Sequence, residues 1–129
     1  MNESFAHLKH CILSPEQIQR LYKHLIEREY IEHDITSDEF LFLLSGVGLP
    51  TDKRIKWKAS ITLLSIYLYE IRDPLYRPEW CIAERLFENV KACSLRDNHS
   101  RPVSKDSSRS YDTFFANQKE VRTLIASFQ

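Results

Sequence analysis

Glycine is scarce in this chain: only Gly46 and Gly48 occur among its 129 residues. Nucleotide-binding α/β folds and turn-rich β sandwiches usually need more glycine, because tight turns and phosphate loops use residues with positive φ. This scarcity argues against both classes and favours helices joined by polar loops. Hydrophobic residues make up 43% of the chain and aromatic residues 12%. The chain is therefore apolar enough to bury a core as a single domain over residues 1–129.

Cysteine is also sparse, and long hydrophobic runs are absent. The odd set Cys11, Cys81 and Cys93 indicates reduced thiols, as in the cytoplasm, rather than a disulfide framework. The most apolar stretch, residues 61–71, is shorter than the roughly 20 residues that span a bilayer. Residues 1–10 contain no continuous apolar run like that of a signal peptide. These features predict a cytoplasmic protein that has no membrane segment.

Net charge is absent as well, with 18 basic and 18 acidic side chains, but the charges are unevenly distributed. Residues 1–50 contain four Lys or Arg and eight Asp or Glu, whereas residues 51–110 contain twelve and eight. The first segment is therefore acidic and the second basic. A neutral total argues against a protein coated in positive charge, yet the asymmetry permits a basic face opposite an acidic one.

Helix-start signals and apolar periodicity predict an all-α fold of five or six helices. Capping boxes at Ser14-Pro15-Glu16-Gln17 and Thr36-Ser37-Asp38-Glu39 mark two helix starts, and Gly46 suits a helix end. The predicted helices cover a short stretch around residues 5–12, then 15–29, 37–45, 55–71, a helix from 78 that ends between 90 and 93, and 111–127. Residues 94–110, rich in Ser, Arg, Asp and Asn, are expected to form a long loop or a mobile segment.

A cation-rich segment at the start of the most apolar helix is the first candidate site for nucleic acid. It consists of Lys53, Arg54, Lys56 and Lys58 with one aromatic residue, Trp57. The cations could contact phosphates, and the indole could stack on a base or sugar. The competing interpretation is that the indole packs in the core and the cations are solvated. Because cations are unfavourable at a helix N-terminus, a later helix start, near Ala59 or Ser60, is an alternative.

A second cationic group lies in and beside the polar stretch and consists of Arg96, His99, Arg101, Lys105 and Arg109. Spaced cations on a flexible segment can follow a phosphate backbone and become ordered on binding. A solvated surface loop explains the same composition. Phosphate contacts are predicted at the four Lys and Arg residues of this group, with that alternative open.

The stretch from Trp80 to Phe87 has the apolar pattern of the first helix of a helix-turn-helix. Its Ile82, Ala83 and Leu86 place a small residue where a second helix packs closely. The motif commonly has glycine four residues after the alanine, and this chain has Phe87 at that position. A helix-turn-helix-like pair is therefore an expectation that the turn residue does not support.

Catalytic motifs are missing, and one group of metal-binding residue types stands alone. The chain has no Gly-x-Ser-x-Gly, P-loop or Gly-x-Gly-x-x-Gly motif, so we expect no enzymatic activity and no cofactor. His7, His10 and Cys11 would lie close together on a helix, but His24 or His33 would have to complete a zinc site. Surface histidines beside a small buried thiol are the preferred interpretation.

Two stretches together resemble a segment of small proteins from Bacteroidetes mobile elements. Residues 21–31 and 36–46 contain Leu-Tyr, Leu-Ile and Tyr-Ile pairs, an acidic cap and two phenylalanines before Gly46, and residues 55–71 follow with Ile-Lys-Trp and an apolar helix. The two stretches resemble in particular the family of RteC-type regulators of conjugative-transposon excision. In that family a Gly-Ser pair comes after the tryptophan, whereas this chain has Lys58, Ala59 and Ser60 there. The resemblance, over about residues 15–90, implies a helical, DNA-binding, helix-turn-helix-like protein and supplies no catalytic residues.

Composition, motifs and resemblance together predict a non-enzymatic regulatory protein that binds DNA or acts beside a DNA-binding partner. A link to a mobile genetic element follows from the resemblance alone. The alternative is a protein–protein interaction module, or a homodimeric structural protein, that binds no nucleic acid. The two differ in geometry. Basic segments on one face favour nucleic acid, whereas separated segments with an exposed apolar patch favour a protein partner.

Overall fold

Six α-helices make up most of the described structure, a computed structural model that describes residues 6–100 and 108–128. They are α1 (Pro15–Glu27), α2 (Ser37–Ser45), α3 (Ile61–Glu70), α4 (Trp80–Leu86), α5 (Ala92–Ser100) and α6 (Ser108–Ser127). Within the described ranges no regular strand is present, and extended segments pair through isolated bridges. The predicted all-α fold of five or six helices is confirmed.

Side-chain caps begin α1 and α2 at the residues that the sequence predicts. Ser14 Oγ accepts from the Gln17 amide at 3.3 Å, and Gln17 Oε1 accepts from the Ser14 amide at 2.8 Å. Thr36 and Glu39 form the same reciprocal pair at the start of α2. Gly46 ends α2 with a φ of 79°, in the left-handed region that a Cβ disfavours. These bonds satisfy terminal amides that would otherwise lack partners in the helix.

The N-terminal segment is extended, so the short helix predicted around residues 5–12 is wrong over the described residues 6–12. The Leu8 amide donates to the Leu43 carbonyl oxygen at 2.9 Å, and the Ile12 amide donates to the Ile71 carbonyl oxygen at 2.8 Å. Amides that are bonded to the ends of α2 and α3 cannot also form helical bonds. Leu8 is buried whereas Ile12 is exposed, so the two apolar residues do not share one face.

The segment before α3 is extended too, and the helix predicted over 55–71 is wrong for its first residues. Ile55 forms a parallel bridge with Phe87, and Trp57 forms an antiparallel bridge with Ile31. Apolar residues two positions apart point to the same side of an extended chain. Ile55 and Trp57 therefore follow a strand-like period, which resembles a helical stripe only because α3 comes soon after.

Ser60 begins α3, in agreement with the alternative start near Ala59 or Ser60. Its Oγ accepts from the Leu63 amide at 3.1 Å. The four cations at residues 53–58 therefore precede the helix, and their unfavourable interaction with its N-terminal dipole is weakened.

Residues 92–100 form α5, so the prediction of a long loop over 94–110 is wrong for its first part. Leu95 is fully buried, Asn98 Oδ1 accepts from Thr62 Oγ1 at 2.8 Å, and His99 stacks on Tyr69 with centroids 4.1 Å apart. One deeply buried leucine, one hydrogen bond to α3 and one ring stacking on α3 thus hold a helix whose composition is that of a loop. Residues 101–107 lie outside the described residues, and α6 begins at 108 rather than 111.

The helix α3 occupies the centre of the fold. It contacts α5 and α6, while α1 contacts α2 and α4 contacts α5. Six consecutive residues, 63–68, are buried in α3, which means that neighbours cover it on most sides. Leu21, Leu25 and Phe40 from α1 and α2 belong to the same buried cluster. The extended segments therefore lie at the edge of a helical core, and their polar side chains face outwards.

Candidate nucleic-acid interface

The indole of Trp57 packs against the core. Its ring centroid lies 5.8 Å from that of Tyr30, 6.0 Å from that of Tyr67 and 6.3 Å from that of Phe87. Its Nε1 donates to the Ser60 carbonyl oxygen at 2.8 Å. The ring thus connects the loop after α1 to α3 and to the end of α4, as the competing interpretation of this residue expects.

Two of the four cations in the segment also hold neighbouring backbone in place, and a third pairs with a carboxylate side chain. Lys53 Nζ donates to the Asp34 carbonyl oxygen at 2.7 Å, and Lys56 Nζ lies 3.0 Å from Asp34 Oδ2. Arg54 donates to two carbonyl oxygens in the last turn of α4, at 2.8 and 3.1 Å. All four cations, including Lys58, are exposed. Because an ammonium has three donors and a guanidinium five, further donors stay available to a phosphate.

The pair of Lys56 and Asp34 shifts both ionisation equilibria towards the charged forms. The hydrogen bond from Lys56 holds the pKa of the Asp34 carboxyl below its usual value. The hydrogen bond to Asp34, and then the charges of Glu88 and Glu32, raise the pKa of Lys56. Carboxylates therefore lie around this lysine, and of the four cations it is the one whose positive charge is most directly offset by nearby negative charge.

The helices α4 and α5 follow one another through a short turn, residues 87–91. Phe87 ends α4 in an extended conformation, and Asn89 then adopts a φ of 59°, in the left-handed region. Glu84 Oε1 accepts from the Ala92 amide at 2.7 Å, so a side chain of α4 caps the start of α5. The helix-turn-helix motif commonly has glycine at the position of Phe87, and glycine can adopt positive φ. In this turn Asn89 adopts positive φ instead, since asparagine tolerates that region better than most residues. The helix from 78 accordingly ends at Leu86, earlier than predicted.

The structure places the segment 53–58 directly beside this pair of helices. Arg54 is bonded to the last turn of α4, and the Ile55 amide donates to the Leu86 carbonyl oxygen at 2.7 Å. The pair adds two exposed cations that no sequence motif indicates, Arg85 and Lys91. We use the name basic surface for the exposed cations on segment 53–58, at the end of α4, in the turn after it and on α5; the set comprises Lys53, Arg54, Lys56, Lys58, Arg85, Lys91 and Arg96.

Of the four Lys and Arg residues in the second predicted group, Arg96 is the one whose side chain the structure describes. Its side chain on α5 is 62% exposed, and its Nε lies 3.6 Å from Asp97 Oδ1. So exposed and long a pair contributes little to stability. Arg101 and Lys105 lie outside the described residues. Arg109 lies in the first turn of α6, where its side chain is not described, so contacts at these three positions stay predictions.

His99, by contrast, is used in packing. Besides stacking on Tyr69, its ring lies 5.9 Å from Trp80 and 5.7 Å from Phe114. Burial lowers the pKa of His99, and the nearby charge of Arg72 acts in the same direction. The structure thus shows this imidazole as a packing contact between α5 and its neighbours.

The residues His7, His10 and Cys11 lie on the extended N-terminal segment and do not share a helix face. His10 stacks on Tyr76 with ring centroids 3.7 Å apart, and His7 Nδ1 lies 2.9 Å from the Leu8 carbonyl oxygen. Burial raises the pKa of the Cys11 thiol to about 11, so the thiolate that binds metals is disfavoured. Over residues 6–100 and 108–128, no three His, Cys, Asp or Glu side chains form a group that could hold a metal ion.

Comparisons of the chain with protein-family models, with curated proteins and with solved structures found no match in any of the three. Among the residues that the structure describes, no helix is both long enough and apolar enough to cross a membrane.

Proposed function

We propose that this chain is a non-enzymatic regulatory protein that binds duplex DNA through the basic surface, with α5 as the helix that enters the major groove. The observation that supports this most is the bonding of segment 53–58 to the end of α4. That bonding holds the first cationic segment against α4, and α4 in turn contacts α5, which carries Arg96 of the second group. Two consecutive helices in contact, the second carrying the exposed cation Arg96, resemble the arrangement by which a helix-turn-helix reads DNA.

The residues of the basic surface divide by role. Lys58 lies before the α4–α5 pair in sequence and Lys91 lies in the turn that joins its two helices, and we assign both of them phosphate contacts. Arg96 lies on the exposed side of α5, and its planar group of donors matches the edge of guanine. Its exposed pair with Asp97 opens at little cost when a base or phosphate replaces the carboxylate. Lys56, surrounded by carboxylates, keeps the segment in place.

The proposal is tested by fluorescence anisotropy of a labelled mixed-sequence duplex, titrated with the purified protein at several salt concentrations. If Lys58 and Lys91 each neutralise one phosphate, the logarithm of the binding constant falls with that of the salt concentration with a slope of roughly −2. Replacing one of them with alanine reduces the slope by about 1. The control is Arg20→Ala on α1, where an exposed arginine lies 3.8 Å from Glu16. A duplex that stays unbound at low salt, or an equal effect of Arg20→Ala, contradicts the proposal.

A further inference from the structure

A groove beside the start of α2 exposes apolar side chains. It has a volume of about 610 Å³ and lies between the first turn of α2 and the loop that follows Gly46. Two of its residues are strongly exposed, Val47 at 47% and Leu49 at 88%. The residues that line it are Thr36, Asp38, Glu39, Leu41, Val47, Gly48, Leu49, Pro50 and Thr51. The lining is therefore apolar with two carboxylates and contains no lysine or arginine.

A second exposed apolar feature is the loop of residues 73–78, which presents Leu75. This side chain is 86% exposed. Asp73 shapes the loop, because its Oδ1 accepts from the Leu75 amide at 2.9 Å and its carbonyl oxygen accepts from the Tyr76 amide at 2.9 Å. Tyr76 is fixed in turn by its stacking on His10. Leu75 is thus an apolar knob on a preorganised turn, and the exposed cation Arg77 comes two residues later.

We propose that the loop 73–78 of one copy of this chain docks into the α2 groove of a second copy. Leu75 enters between the apolar side chains of the groove, and Arg77 meets Asp38 at its rim. The charge signs favour this occupant. The charged residues of the groove are both carboxylates, and the loop has a cation two residues after its leucine. Both surfaces are held in place in the single chain, so little conformational freedom is lost when they meet.

The occupant comes from another copy because the loop of the same chain does not line the groove and Leu75 is left exposed. Each chain carries one knob and one groove, so the contact joins two different surfaces. Two reciprocal contacts close a dimer, and a single contact leaves the other two surfaces open to further copies. The contact is small, so we expect weak association that depends on protein concentration. This self-association is independent of DNA binding.

Sedimentation velocity across a wide concentration series tests the proposal on the full chain. We expect the average mass of the wild type to rise with concentration, and Leu75→Ser and Leu49→Ser to keep the protein monomeric. The control is Ile12→Ser, which changes another exposed apolar residue, 44% exposed, outside both surfaces. Circular dichroism of each variant establishes that it is folded. A wild type that stays monomeric throughout overturns the proposal, as does association that Leu75→Ser leaves unchanged.

A charge exchange tests the orientation of the loop in the groove. Arg77→Glu and Asp38→Arg are each expected to weaken association by up to about fivefold, the usual range for an exposed ion pair. The double variant restores the pair with reversed signs and should associate more strongly than either single variant. A double variant that is weaker than both contradicts the contact between Arg77 and Asp38, and with it the proposed docking.

Discussion

At the scale of single residues, backbone conformation explains positions where the identity of the side chain matters most. Gly46 and Asn89 both adopt positive φ, one at the end of α2 and one between α4 and α5. The first could be predicted, because glycine after an apolar run is the usual end of a helix. The second could not, because asparagine occurs in many contexts and Phe87 occupies the position where a glycine was expected. The sequence therefore predicts a positive φ only where the residue is glycine.

We expect Gly46→Ala to destabilise the fold more than Gly48→Ala. Both glycines have positive φ, but a Cβ at residue 46 would lie 2.7 Å from His7 Cε1, whereas nothing lies within 4 Å at residue 48. Backbone strain costs roughly 1–2 kcal/mol at either position, and displacement of the His7 ring adds about 1 kcal/mol or more at residue 46. Urea unfolding of the two variants measures the difference. Adding His7→Ala should recover part of the loss at residue 46 and none at residue 48.

At the scale of elements, what the sequence could predict depended on where the stabilising contacts lie. The caps at Ser14 and Thr36 are local, so the starts of α1 and α2 follow from four consecutive residues. The extended segment 55–58 depends on Ile31 and Phe87, which are distant in sequence, and its apolar spacing continues without a break into α3. Likewise α5 is held by Asn98 and its neighbours against α3, contacts that no composition reveals. Long-range pairing therefore overrode the local pattern at both places.

The turn between α4 and α5 gives a test at this scale. Asn89→Val should lower the free energy of unfolding by about 1–2 kcal/mol, because a β-branched residue is strongly disfavoured at positive φ. Asn89→Gly should keep or increase stability, since glycine adopts this conformation without strain. If α5 enters the groove of DNA, Asn89→Val also weakens duplex binding whereas Asn89→Gly does not. Equal stability of the two variants in urea unfolding would contradict the role given to the turn.

At the scale of the whole molecule, two partly buried histidines link pH to stability. Burial lowers the pKa of both His24 and His99 below the ordinary value of 6.5. The unfolded chain therefore takes up protons at a pH where the folded chain does not, and the equilibrium shifts towards unfolding. We expect the contribution of these two histidines to the free energy of unfolding to be constant above about pH 7 and to fall as the pH drops below 6.5, towards the lowered values.

Denaturant unfolding at a series of pH values measures this dependence. His99→Phe should make it weaker, because the aromatic contacts persist while the titrating group is removed. His33→Gln, at an exposed position, is the matched control and should leave the dependence unchanged. A pH profile that His99→Phe does not alter would show that this histidine has the same proton affinity in both states.

The candidate site could be predicted in part. The sequence predicts the cations of residues 53–58 and Arg96, but the position of segment 53–58 beside α4 depends on Arg54 reaching the end of that helix, a contact between residues about thirty positions apart. The sequence does not indicate a role for Arg85 or Lys91, because each is an isolated charge in the sequence. The α2 groove was not foreseen either, since Leu49 lies in a loop whose residues look ordinary until their exposure is known.

The central claim, that the basic surface contacts DNA, is tested most directly by lysine footprinting. A lysine-reactive reagent is applied to the protein with and without a saturating duplex at low salt, and mass spectrometry measures the modification of each lysine. We expect the duplex to protect Lys58 and Lys91 strongly, while the exposed Lys23 on α1 reacts equally in both samples. Equal reactivity of Lys58 and Lys91 with and without DNA, or protection of Lys23 to the same degree, would contradict the account.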